Sequence, residues 1–307
     1  MSHTTGIGYT EPNPPARHCR KSAAELHQLM TDKEFVPFIL NNESAAQWEV
    51  TYNSIRDGQA TEDSLKEETG LSKTQLNEAI KALAAMGLLN DRYEPYDVNS
   101  LIEIDGVPDS TRYRLTGLQG LMNEHISDNW GRHAGVLLHY EYLVKESEQY
   151  FRDDDEGLWK RVRNWEKDRG YYPQKKNGER YSFNTKKWTH WTVIADHLGL
   201  IRKTRGSYYT TYFDPDVLKG TLLWYSNDND TGSFPISEYI NWLDDNVVPC
   251  PVQGSTVPIS ISHPLHLLAR TGWLKFVEEG DSATATLTGI ESGQYPDSVN
   301  SISLTKS

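Results

Sequence analysis

Cysteine is nearly missing from this chain: Cys19 and Cys250 are the two in 307 residues, and no CxxC occurs. That excludes a disulfide framework and a cysteine-based zinc site, and it fits a reduced, intracellular setting. Long apolar runs are missing too. No stretch of 18 or more apolar residues occurs, which argues against a helical membrane span. The opening MSHTTGIGYTEPNPPARHCRK lacks the apolar core of a secretory signal, so the expected location is cytoplasmic, with no membrane partner. Signatures of catalysis are lacking as well: there is no P-loop, no GxGxxG after a strand, no GxSxG and no HExxH. Asp214, Asp216 and Lys219 have no downstream Asp-x-Lys or Glu-x-Lys to complete a nuclease-type set, and His263 and His266 have no third ligand. Neither an enzyme, a cofactor nor a metal is expected.

What the chain does have is an uneven charge. The formal net charge is −12, yet residues 158–206 carry 13 Lys or Arg against 4 acids. The flanks are acidic: 14 against 27 in residues 1–157, and 4 against 12 in residues 207–307. A basic island of that size inside an acidic chain points to a polyanionic partner. Its first part, LWKRVRNWEKDRGYYPQKKNGERYSFNTKKW, interleaves seven aromatics with its cations.

Residues 44–116 carry the clearest local pattern. Trp48, Tyr52 and Ile55 mark a helix over Ser44–Arg56; Thr61 caps a short helix, EDSLKEET; Ser72 and Gln75 form a capping box opening a helix at Lys73. Along that helix Leu76, Ala79, Ile80, Leu83 and Met86 recur at helical spacing, and Gly87 is the expected left-handed stop. LIEIDG and TRYRLTG, separated by VPDS, are read as the two strands of a hairpin. The run SLKEETGLSKTQLNEAIKALAAMGLLND…TRYRLTGLQG resembles the winged helix-turn-helix superfamily over about seventy residues. Its end is echoed by ADHLGLIRK…SYYTTYFDPD and by ARTGWLKF…TATLTGIESG.

The resulting expectation is a mostly α chain with small β-hairpins (α+β), built from two to three tandem winged-helix-like units. The divisions are a disordered segment over 1–21, a first winged-helix domain over 22–129, and a basic winged-helix-like domain over 130–220 with a long leading helix at 130–152. A third, acidic unit follows over 221–291, and 292–307 is a polar tail. The resemblance implies DNA binding, and the charge places it in the middle unit. Lys160, Arg163 and Lys167 share one face of the helix LWKRVRNWEKDR, opposite Leu158, Val162 and Trp165. Lys175, Lys176 and Arg180 lie on the following loop. Lys186, Lys187, Thr189 and His190 lie on the helix in recognition position, with Val193 and His197 on its exposed side; Arg202, Lys203 and Arg205 lie at the wing tip. In the first unit Lys73, Thr74, Gln75, Asn77 and Lys81 are secondary candidates, opposed by Glu62, Asp63, Glu67 and Glu68. Phosphate anchoring to duplex DNA, in a transcriptional regulator or DNA-organising factor, is the first reading. A scaffold subunit is the second, forming a homodimer or taking protein partners through its acidic first and third units. RNA is the third, should bases stack on Tyr171, Tyr172, Tyr181 or Phe183.

Overall fold

The computed structural model describes residues 44–126, 130–174, 178–181, 183–277, 284–288 and 298–305. All of these fall in one compact unit. The segment 1–21 and the helix start at Ser22 lie outside the described residues.

Three helices open the described chain: α1 (Ala46–Arg56), α2 (Glu62–Thr69) and α3 (Lys73–Ala85). Their ends are fixed by the residues that the sequence singled out. The Thr61 hydroxyl accepts from the Ser64 amide at the start of α2, and Ser72 and Gln75 cap each other at the start of α3. Gly70, at φ +67°, makes the turn between them. Leu65, Leu76, Ala79, Ile80, Leu83 and Met86 are buried against Trp48, Tyr52 and Ile55. The strand pair after α3 is smaller and earlier than expected: a single bridge joins Leu89 to Val98, and Asn90 donates to the Asp97 carboxylate at 2.7 Å.

The hairpin read into LIEIDG and TRYRLTG is absent. Leu101–Ile104 belong to no strand, and the second segment opens α4 (Asp109–His125). Tyr113 and Leu115 alternate with arginines and mimic a strand over five residues. Thr111, Leu115, Leu118, Met122 and His125 are buried at spacings of three and four, which is the helical period. Pro108 precedes the first turn, and Asp109 pairs with both Arg112 and Arg56. Helix α4 is the spine of the molecule.

The basic segment follows in the order α5 (Gly135–Lys145), β1 (Tyr150–Arg152), α6 (Glu156–Asp168), α7 (Thr185–Leu198), β2 (Arg202–Arg205) and β3 (Tyr208–Thr210). The expected helix over 130–152 is thus half as long: it stops at Lys145, Ser147 turns with φ +56°, and Phe151 enters a sheet. That sheet is antiparallel with the last strand central, β1–β3–β2. Trp188 and Trp191 stack at 4.7 Å between ring centroids and form its core with Phe151, Phe183 and His139.

The same order then repeats: α8 (Pro215–Asp228), β4 (Ser233–Pro235), α9 (Ile236–Asn246), α10 (Ile259–Arg270), β6 (Leu274–Val277) and β9 (Ser301–Leu304), with sheet order β4–β9–β6. A small second sheet is inserted, β5 (Thr256–Val257), β7 (Ala285–Leu287) and β8 (Ser298–Val299). Two expectations change here. The tail is not all polar appendage, because Ile302 is fully buried in the central strand. The boundary at 220/221 falls inside α8, and the strand within TATLTGIESG pairs with β5 and β8 rather than with β6. Among the described residues no helix is long and apolar enough to cross a membrane.

Helix α4 packs on α3, α5, α7, α8 and α9. At its contact with α1 and α7 it holds His197 between the rings of Trp48 and Tyr113, at 5.7 and 5.9 Å. Burial and the nearby Arg114 push the His197 imidazole down to about 4, and burial with Arg132 pushes His133 to about 3. Both are neutral when folded and take up protons when the chain unfolds below the ordinary value near 6.5. Stability is therefore complete above about pH 6.5 and falls as the pH drops toward 4. Going from pH 7 to pH 5 costs about 2 kcal/mol for each of the two histidines. Urea titrations at both pH values measure it, and His197→Gln removes that residue's share.

Candidate nucleic-acid interface

The cations of the island separate into two groups joined by one turn of helix. The first group surrounds a cleft. Helix α6 starts where Asp155 accepts from the Leu158 amide at 2.9 Å, and it buries Leu158, Trp159, Val162 and Glu166. Lys160 and Lys167 are exposed and Arg163 is half-buried. Lys160 is held by Glu156 one turn back, at 3.0 Å, and Arg163 lies 5.2 Å over the Trp159 ring. Gly170, at φ +75°, ends the helix and reverses the chain. The returning segment is closed by a bridge between Gln174 and Arg180 and by the Tyr181 amide donating to Pro173 at 2.8 Å. Lys175 and Lys176 lie outside the described residues.

Between α6 and this segment lies a cleft of about 230 Å³. Its floor is Tyr171 and Phe183, both buried, and its walls include Tyr172 and Tyr181. The Arg180 guanidinium stacks 3.9 Å above Tyr172; Lys187 and Arg132 sit over Tyr181 at 4.4 and 5.7 Å. Glu166 closes one side, its carboxylate held by the buried His139 Nε2 at 2.7 Å.

The second group is the β2–β3 hairpin. Arg202, Lys203, Thr204 and Arg205 are all exposed, and Gly206, at φ +57°, makes the turn. The Lys203 amide donates to the Asp196 carboxylate at 2.8 Å, which ties the hairpin to α7. A register shift between Lys203 and Arg205 sets Arg205 opposite Tyr208. Arg152 of β1 faces the same tyrosine, its guanidinium 5.4 Å over the ring. Arg152 and Arg132 were missed by sequence reasoning. Both precede the basic run, and Arg152 is masked by Asp153–Asp155, of which Asp154 pairs with it at 2.6 Å.

The first turn of α7 connects the groups. Asn184 caps it by accepting from the Lys187 amide at 3.1 Å. Lys187 reaches Tyr181 at the cleft, Lys186 is exposed, and Thr189 reaches the Asp153 carbonyl beside β1 at 3.4 Å. Three expectations for this helix need correction. His190 is only 7% exposed and does not face solvent, and His197 is wedged against α1 and α4. The Thr189 hydroxyl is turned back to the Thr185 and Asp153 carbonyls. For His197 the cause is α4, which packs against α7 and sets Tyr113 on that ring.

No carboxylate among the described residues pairs with Arg163, Lys167, Arg180, Arg202, Lys203 or Arg205. Arg161 and Arg169 are different: Glu148 holds the first at 2.6 Å and Glu141 the second at 2.5 Å. At the start of α3 Lys73 is 3.2 Å from Glu62, and Gln75 is engaged as a cap. Thr74 is exposed; Asn77 and Lys81 are half-buried. Glu62 is held below the usual carboxylate range by Lys66 and Lys73, so its negative charge sits beside these candidates.

Among the described residues no three His, Cys, Asp or Glu are grouped as a metal site. No family model matches the chain, and neither does any curated protein or solved structure.

Proposed function

We propose that the protein binds duplex DNA non-catalytically through the basic segment, as a transcriptional regulator or DNA-organising factor. One observation carries the reading: an exposed hairpin with Arg202, Lys203 and Arg205, joined through the first turn of α7 to a second cationic group on α6. The order helix, strand, helix, helix, strand, strand, with the last strand central, supports a winged-helix unit whose wing is β2–β3. Its repetition from α8 to β9 supports a second unit of the same kind, and α1–α3 with the bridge at Leu89 supports a first with a minimal wing. Because α4 covers much of α7, the contact is led by the wing and by Lys186, and phosphates outweigh base edges. A cytoplasmic location is part of the same proposal.

The scaffold reading has its own support. The first and third units are acidic, and Glu67, Glu68 and Asp63 are poorly suited to face phosphate, so protein partners or a second copy are proposed for those surfaces. The test is fluorescence anisotropy with duplex, single-stranded DNA and RNA between 50 and 200 mM salt. Six cations (Lys167, Arg180, Lys186, Arg202, Lys203 and Arg205) imply a slope of log K against log[salt] of about −5. Duplex is expected to bind tightest. An affinity indifferent to salt, or a stronger single-stranded probe, refutes the reading.

A further inference from the structure

The cleft beside α6 is more elaborate than phosphate anchoring requires. Phosphates need only cations at a surface, whereas this recess sets a buried carboxylate among aromatic rings. At about 230 Å³ it is smaller than the roughly 300–1,000 Å³ of pockets for drug-sized ligands. Its size suits one nucleobase with part of its sugar.

The chemistry of the lining narrows the occupant. Tyr172 is 39% exposed and carries Arg180 on its face, so ring and guanidinium form a stacking surface. Arg163, Lys167 and Arg180 border the recess and suit a 5′-phosphate. Glu166 is only 6% exposed, and His139, itself fully buried, fixes one of its oxygens. A carboxylate only accepts hydrogen bonds. The base must therefore present N–H groups, and guanine presents two adjacent ones, N1–H and the N2 amino group. Thymine has one imide N–H between two carbonyls that a carboxylate repels.

We propose that this cleft receives a single guanine nucleotide, its base stacked beside Tyr172 and its N–H edge on Glu166, with the phosphate on Arg163, Lys167 and Arg180. The nucleotide source favoured by the adjoining cations is a guanine extruded from a DNA helix, and in that form the inference rests on the DNA-binding reading above. The free nucleotide has the same chemistry and is the other source.

The experiment compares three duplexes by anisotropy, one perfect, one with a single bulged guanine and one with a single bulged thymine. Guanosine monophosphate is tested separately by quenching of tryptophan fluorescence. The wild-type chain is expected to prefer the guanine bulge over the thymine bulge about tenfold. Glu166→Gln keeps an acceptor for His139 but offers an amide to the base; it is expected to bring the ratio of guanine-bulge to thymine-bulge affinity to about one, a ratio in which any change common to all duplexes cancels. Tyr172→Ala, at an exposed position, is expected to lower the ratio of guanine-bulge to perfect-duplex affinity about tenfold by removing the stack, a ratio in which any effect through Arg180 common to both duplexes cancels. Equal affinity for all three duplexes, with no quenching by guanosine monophosphate, overturns the cleft proposal and leaves duplex binding standing. If no DNA binds but guanosine monophosphate quenches in a Glu166-dependent way, the cleft proposal stands with the free nucleotide as source, and the DNA-binding reading fails.

Discussion

Replacing Arg202, Lys203 and Arg205 together with alanine lowers duplex affinity about a hundredfold or more at 0.1 M salt and takes about three units off the salt slope. Each side chain lies on an exposed hairpin strand and makes no contact ion pair with a carboxylate among the described residues, so most of its charge is open to solvent. Counterion release then assigns each contact close to one decade at that salt. The fold has little reason to change. The strand is anchored by main-chain pairing to β3, by the Lys203 amide on Asp196, and by the Thr204 hydroxyl on the Tyr208 carbonyl. Arg161→Ala is the matched control. It removes the same charge from the same island, but its guanidinium is held by Glu148 and the Tyr142 hydroxyl. Binding is expected to stay within about twofold of wild type. If the control weakens binding as much as any one hairpin position does, net charge rather than surface geometry sets affinity, and the β2–β3 hairpin has no special part.

That contrast marks what the sequence made legible and what it did not. Local signals were readable: the caps at Thr61 and Ser72, the buried stripe from Leu76 to Met86, and the stop at Gly87 act within a turn of helix. The helix over Thr185–Leu198 and the basic turn near Gly206 belong to the same class. Failures came where one short pattern suits two periods. TRYRL alternates like a strand, and only the continuation through Leu118 and Met122 commits it to helix. The error propagated into the site. With α4 read as a hairpin, nothing was left to cover the end of α7, and His197 was placed in solvent. Ser301–Leu304 was read as tail because a central strand is apparent only once β4 and β6 lie on either side of it. Counting charge located the island. Its division into hairpin and cleft depends on long-range partners such as His139 for Glu166 and Glu148 for Arg161, which no spacing rule supplies.

Gly120→Ala is expected to destabilise the protein by about 3 kcal/mol or more, although alanine is the better helix former by about 1 kcal/mol. A Cβ at this position would stand 2.1 Å from the Met86 carbonyl oxygen and 2.7 Å from its carbon. Both are backbone atoms at the end of α3, and that end is rigid: Met86 donates to Ala82, Gly87 is left-handed, and the Leu88 amide donates to Leu83 at 2.8 Å. Relief requires α4 itself to withdraw, which loosens its seat on α7 and on the ring cage around His197. Gly117→Ala separates this effect from simple propensity. There the added methyl meets Met86 Sδ at 3.4 Å and Leu88 Cδ1 at 3.6 Å, ordinary contacts at the tips of side chains. Its stability should stay within about 1 kcal/mol of wild type. Urea titrations of both variants at pH 7 read the difference. A Gly120→Ala chain as stable as Gly117→Ala would mean that α3 and α4 do not approach so closely. The covering of α7, on which the proposed restriction of DNA contact to the β2–β3 hairpin and the first turn of α7 rests, would lose its structural basis.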